Sequence, residues 1–386
     1  MSDRPPRWTN WSGRLTATDV SVRHVRSEED AAAVAAVSGE TVRVVGAGHS
    51  HAPLVPGADV IVDVSALSGV IDVDASSKRV WVWAGTPIYA LGRPLHHAGL
   101  GLANQGDIDR QFIGGAVATG THGTGVELAN LSAMVTGARI ALASGEVVDA
   151  DADLLRAARL HLGAFGIVTR LELGLRDAYK LKERSWTAPF EDLDLEALPM
   201  QSRHFEFFWL PTRDLAMAKA IDETDDEPEY PLAEEGSRVG WSYEVLPNHR
   251  PWRHTEMEYS VPADDGPACM RAIRDLIRRD FPDMPWAVEY RTLAADDVWL
   301  STAYERATVT ISLHMAADSD ERPLFGSGEQ IFRSYDGRPH WGKVNYLDGD
   351  QLARLHERWT DWWAVRDAHD PEGTFLNDYL RSIRPR

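Results

Sequence analysis

Cysteine is nearly absent from this chain of 386 residues; Cys269 is the only one, so no internal disulfide is possible. It sits in the amphipathic pattern "GPACMRAIRDLIRRDF", where a small core residue is expected rather than a nucleophile. Long apolar runs are missing as well. No stretch of about 18 apolar residues occurs, and "MSDRPPRWTNWSG" lacks the apolar region of a secretory leader, so a cytoplasmic protein with no membrane partner is expected. Positive charge is scarce: 40 Lys and Arg stand against 59 Asp and Glu, a net charge of −19. Nucleic acid and anionic membrane surfaces are disfavoured partners, because both would repel such a chain. No internal repeat or low-complexity tract is evident. What remains is 44% hydrophobic and 26% charged, the balance of a globular protein. The length exceeds one ordinary core and suits two domains. Tryptophan is plentiful at 14 residues, and part of that set can wall a polar-ligand cleft.

Residues 20–175 alternate short strands and helices. "EEDAAAVAAVSG" reads as a helix ended by Gly39, and "TVRVVG" and "DVIVDVS" as strands rich in β-branched residues. "VIDVDASSKRVWVWAG" and "ARIALASGEVVDA" read as hairpins turning at Ser76-Ser77 and Ser144-Gly145. "TPIYALGRPLHHAG" predicts a helix with Thr86 as N-cap and Pro87 in its first turn. "DLLRAARLHLGAFG" predicts another helix, followed by the strand "IVTRLELGL". The acidic stretch Ile221–Ser237 reads as a solvated, mobile loop. "QLARLHERWTDWWAVRDAHDPEG" reads as one helix stopped by Asp370-Pro371. The class is α+β with mixed sheets.

In "RVVGAGHSHAPL", Gly46 and Gly48 remove Cβ atoms where the chain leaves its strand, which lets several N–H groups point at one anion such as a diphosphate. The nicotinamide fingerprint G-x-G-x-x-G fails here. His51 stands at its third glycine, and Pro53 and Pro56 forbid the helix that should follow. Taken alone, the segment is no more than a tight turn. "GGAVATGTHGTG" adds Gly114, Gly115, Gly120, Gly123 and Gly125, interleaved with Thr119, Thr121 and Thr124. Together the two segments suggest a dinucleotide held in extended form.

These two segments resemble the vanillyl-alcohol-oxidase (PCMH) type of FAD-binding domain. "LHLGAFGIVTRLEL", "MEYSVP", "VEYRTLAADDVWLS", "RPHWGK" and "HDPEGTFLNDYL" narrow the resemblance to its sugar-1,4-lactone oxidase and alditol oxidase branch, in the same order and over most of the chain. Only residues 177–255 match poorly. The resemblance implies an FAD-binding domain over residues 1–176, a substrate cap over 177–345, and a segment 346–386 packing back on the first. FAD would contact Val45, Gly46, Ala47, Gly48, Ser50, Gly115, Val117, Gly120, Thr121, His122, Gly123, Thr124, Gly125 and Ile167. In many relatives the histidine of the GHS segment is bonded to the flavin. That maps onto His49, with His51 as the competing candidate; some relatives bind FAD without the link.

"VEYR" sets Glu289 and Arg291 two apart, which in a strand puts both on one face and Tyr290 on the other. By itself that is an ordinary surface ion pair. In the resembled family the pair lies over the flavin, the arginine stabilising the reduced ring and the glutamate binding substrate hydroxyls. Lys343 ends "RPHWGK" and the family places it beside substrate, with His340 and Trp341 shaping the wall. In "VTISLHMAAD", Ser312 and His314 share a face, and His314 is a second proton acceptor. The base stays open among Lys343, His314 and Glu289. One departure stands out: Phe112 occupies the position of a serine that contacts substrate in alditol oxidases, which leaves room for a less polar or ring-shaped substrate. The implied activity is oxidation of a CH–OH group of a polyol, sugar or lactone by hydride transfer to FAD, with O2 as acceptor and H2O2 as product. An aldonolactone dehydrogenase using another acceptor, or an oxidase of a non-sugar alcohol, is the alternative. No metal is expected, and the chain is expected to act as a monomer.

Overall fold

The computed structural model describes residues 7–385; the first six residues of the expected FAD-binding domain, and Arg386, lie outside the described residues. Near the amino terminus, Ser21–His24, Val60–Asp63 and Val42–Val45 form a parallel three-stranded sheet with Val60–Asp63 in the centre. The helix Glu28–Ala35 packs its buried Ala31 and Ala35 into the same cluster, capped by the Ser27 side chain on the Asp30 N–H. A five-stranded antiparallel sheet follows, built from the hairpins Val70–Asp74/Arg79–Trp83 and Val135–Ala141/Val147–Asp149, with Ile167–Gly174 between them.

An eight-stranded antiparallel sheet dominates the rest. Its middle strands are Leu215–Glu223, His204–Leu210, Val288–Leu293, Thr308–Ala316 and His254–Pro262. The two faces of this sheet differ because side chains alternate along each strand. One face carries Phe207, Trp209, Tyr290, Ile311, Leu313, Met257 and Tyr259, all buried. It packs against the helices Gly266–Asp280 and Arg322–Ser334. The first helix starts with Pro267 in its opening turn and stops at Phe281, just before Pro282. Each of these large apolar side chains contributes on the order of 1.5–3 kcal/mol through burial. The opposite face carries Lys219, Glu206, Glu289, Arg291, Ser312, His314, Glu256 and Glu258. It forms the roof of the site.

The segment after residue 346 packs against the amino-terminal part. Trp362 Nε1 donates to the carbonyls of Ala157 and Leu160, and Asn377 Nδ2 to those of Pro53 and Pro56. Among the described residues, no helix is long and apolar enough to cross a membrane.

Four local expectations change. Thr86 does not cap the helix Ile88–His97; its hydroxyl is taken by the Trp83 carbonyl and the Gly69 N–H. The helix expected through Gly166 ends at Ala158. The buried Arg43 guanidinium takes the carbonyls of Leu162 and Gly163, and Gly166 sits at φ +144°. The long carboxy-terminal helix is two, Gly349–Leu355 and Trp359–His369. His356 turns extended between them, its ring against Trp341 and Trp359. The acidic stretch is a strand end followed by a loop that is fastened down, with Glu235 on Arg250 and the Gly236 N–H on Glu183.

Candidate active site

Two cavities meet at His49, Ser50, Gln111 and Thr119. The smaller, about 110 Å³, is lined by Gly46, Gly48, Gly114, Gly115, Gly163 and Gly166, with Val45 and Ala47, and by side chains that include Trp8, Arg43, Phe112 and His161. A Cβ added to Gly115 would meet no atom within 4 Å, so it would project into open space, whereas Gly48 needs its freedom for a φ of +70°. Such a narrow, glycine-rich cleft fits the polar spine of a dinucleotide. It opens into a chamber wide enough for a ring system, so the residues present fit FAD.

That larger cavity, about 550 Å³, lies under the polar face of the eight-stranded sheet. Glu258, fully buried, is its hub. Its carboxylate accepts from His122 Nε2 at 2.6 Å, Arg291 Nη2 at 2.9 Å and Ser312 Oγ at 2.9 Å. Burial alone would raise this carboxyl, but His122 and Arg291 outweigh burial and hold it well below the usual range. Arg291 also lies 3.3 Å from Glu289. Burial pushes the Glu289 carboxyl up to about 8 against the pull of Arg291, with Glu206 and Asp107 adding to the rise. The rise favours the protonated form of Glu289.

A second knot surrounds Glu256. The Lys343 ammonium is bound to it, with His314 Nε2 at 3.7 Å and His51 Nε2 at 4.0 Å. His314 donates from Nδ1 to the Ala287 carbonyl, which fixes its neutral tautomer and leaves Nε2 as an acceptor toward the cavity. Burial lowers this imidazole to about 4, so it stays neutral at pH 7. Burial also lowers His49 to about 4, helped by Lys343 and His254; its ring stacks on Trp11 at 5.2 Å.

The structure brings Glu289, Arg291, His314, Lys343, His340, His122 and Thr121 to the larger cavity, and His49 and Ser50 to both. Other expected contacts lie elsewhere. Val117, Gly120, Gly123, Thr124, Gly125 and Ile167 line neither cavity. Gly123 and Gly125 are small for packing, since a Cβ would come within 2.2 Å of the Gln105 carbonyl or 2.5 Å of that of Arg203. Thr124 ties the two halves together, its hydroxyl donating to the Phe205 carbonyl and accepting from the Thr292 N–H. Ser312 acts through Glu258 rather than facing the cavity. Phe112 lies beneath Gly46 in the smaller cavity, not at the substrate side; its neighbour Gln111 faces both. Glu256 and Glu258 are the residues that sequence reasoning missed. The signal was present in "HTEMEYS", where carboxylates two apart alternate with the buried Met257 and Tyr259.

Residues 19–151 match the FAD binding domain family, and residues 230–383 the D-arabinono-1,4-lactone oxidase family. L-gulono-1,4-lactone dehydrogenase of Mycobacterium tuberculosis is 35% identical over 98% of this chain and 99% of its own length. Alditol oxidase of a Streptomyces species is 30% identical over 97% and 98%. A solvent-stable cholesterol oxidase superposes with a TM-score of 0.85 at 18% identity, over 98% of this chain and 97% of its own, a likeness of fold alone. Fold and site thus define an FAD-dependent oxidoreductase acting on CH–OH donors, with the two-domain α+β architecture expected of the PCMH type. More narrowly, the chain belongs to the aldonolactone and alditol oxidoreductase family.

Proposed function

We propose that the chain oxidises a CH–OH group of a polyol, sugar or sugar lactone, carries its FAD covalently on His49, and passes the electrons to O2 with formation of H2O2. The observation that carries this reading is the joint at His49. A group attached to that ring stands in the chamber that also holds Glu289, Arg291, His314 and Lys343. His49 is uncharged at neutral pH, so a ring nitrogen has a lone pair free for the bond. His51 lines only the larger cavity and sits beside Glu256.

When bound, FAD supplies the acceptor for the hydride leaving the substrate carbon. The chain's own residues manage the proton and the charges. His314 Nε2 accepts the hydroxyl proton, and the cation so formed is stabilised by Glu256. Glu289 donates its proton in a hydrogen bond to a neighbouring substrate oxygen. Lys343, anchored by Glu256, donates to further hydroxyls. Arg291, held by Glu258, fixes a positive charge where negative charge builds up. The reading extends to a monomer and to a cytoplasmic location, the second of which suits a free, buried Cys269.

Acid precipitation tests the covalent bond: the yellow colour should stay with the pellet, and colour released to the supernatant would contradict it. The relative at 35% identity is a dehydrogenase, which favours a second reading with an acceptor other than O2. Turnover in an oxygen electrode separates the two. O2 uptake matched by H2O2 supports the oxidase, and turnover only with an added acceptor dye supports the dehydrogenase.

A further inference from the structure

The chamber does not end at Glu289 and Arg291. Its roof continues across the strands His204–Leu210, Leu215–Glu223 and Lys180–Pro189, which bring Phe208, Lys219 and Ser185 to the wall. Lys219 lies two strands beyond Glu289, about 10 Å at ordinary strand spacing. A single sugar ring with its reacting carbon at Glu289 does not reach that far.

This end is a built site. The Lys219 side chain is more than nine-tenths buried. It pairs with Glu206 at 2.5 Å, while Asp107 and Glu235 stand at 3.7 and 3.8 Å, beyond hydrogen-bond distance. An ammonium has three N–H donors, so this one retains capacity that the protein does not fill, with gaps that a bridging hydroxyl closes. Arg250 binds the same two carboxylates, Asp107 at 2.9 Å and Glu235 at 2.8 Å, and lies over the Phe208 ring. Trp252 stands on the rim, 69% exposed.

The charges choose the ligand. Lys219 and Arg250 face three carboxylates, Glu206, Asp107 and Glu235, so a phosphate is repelled, while a cation meets an ammonium and a guanidinium already seated on those carboxylates. A neutral, hydroxyl-rich ligand donates to the carboxylates and accepts from the ammonium, and its C–H face covers an aromatic ring. We propose that this end is a second sugar subsite, so that the substrate is a glycosylated polyol or lactone whose free unit is oxidised at Glu289 and Arg291 while the attached sugar rests against Lys219. The inference rests on the CH–OH reading above.

Steady-state kinetics with maltitol against sorbitol test it. The value of kcat/KM for maltitol should exceed that for sorbitol by about tenfold, the size of one to two net hydrogen bonds. Glu235→Gln and Trp252→Ala, both at exposed positions, should bring that ratio down toward unity, with folding checked by thermal melting and flavin content. Sorbitol equal to or better than maltitol, or a ratio unchanged in both variants, overturns the subsite while leaving the CH–OH reading in place. If neither polyol is oxidised, the polyol branch of that reading falls and the lactone branch stands, and a tryptophan-fluorescence titration with maltitol decides the subsite. A saturable change weakened by Glu235→Gln upholds it; no saturable change overturns it.

Discussion

The smaller cavity is rich in glycine, the larger in ionisable side chains from neighbouring strands, and the two meet at His49. The difference separates two tasks. Glycines let a cleft grip by shape and by amide dipoles, which do not titrate in the working range. A wall of paired charges can take up and release protons, and its partners decide which group does so. Glu258 is locked in the charged form by its three donors, whereas Glu289 is pushed the other way by burial.

The largest effect is expected at the glycine-rich wall. Gly115→Leu fills the cleft, so the purified protein should be colourless and inactive yet still folded by circular dichroism; a yellow, active variant would remove the cleft from the account. On the charged wall, Arg291→Met should retain flavin and lower kcat by about 10³, the size of a lost electrostatic stabiliser. Lys343→Ala should lower kcat by about 10², again with flavin retained; loss of flavin instead would move Lys343 to the cofactor side. At the joint, His49→Ala should have the mildest effect on turnover, about tenfold, a loss of about 1.4 kcal/mol in transition-state stabilisation. In that variant all the flavin should pass to the supernatant after acid treatment.

Much of the first region was legible in the sequence, because a glycine is informative at a single position. Gly48 and Gly115 mark where backbone must turn sharply or lie bare, and Gly46 where a Cβ would press on Phe112 at 3.2 Å. The same reasoning overreached at Gly123 and Gly125, since close packing against another main chain demands glycine for reasons that a sequence cannot separate from ligand contact. The second region was legible in pairs: two-residue spacing put Glu289 with Arg291 and Ser312 with His314. Register between strands was invisible, so Glu258 opposite Ser312, and Glu256 opposite His314, emerged only in the folded sheet. Arg43 shows the same limit. Nothing in "RVVG" signals that its guanidinium would bind carbonyls about 120 residues later, at Leu162 and Gly163 in the loop beyond a helix end.

The division of labour between His314 and Glu289 is the centre of the account, and its signs are opposite in pH. The base must be unprotonated, so activity is lost as pH falls through the His314 value of about 4; the Glu289 donor must be protonated, so activity is lost as pH rises through about 8. The direct measurement is rapid anaerobic mixing of the yellow protein with an oxidisable polyol or lactone, following the bleaching of its blue absorption band across pH. A plateau between the two limbs, with slowing above about 8, is the expected result. A bleaching rate that instead climbs through pH 8 would make ionised Glu289 the base and contradict the assignment.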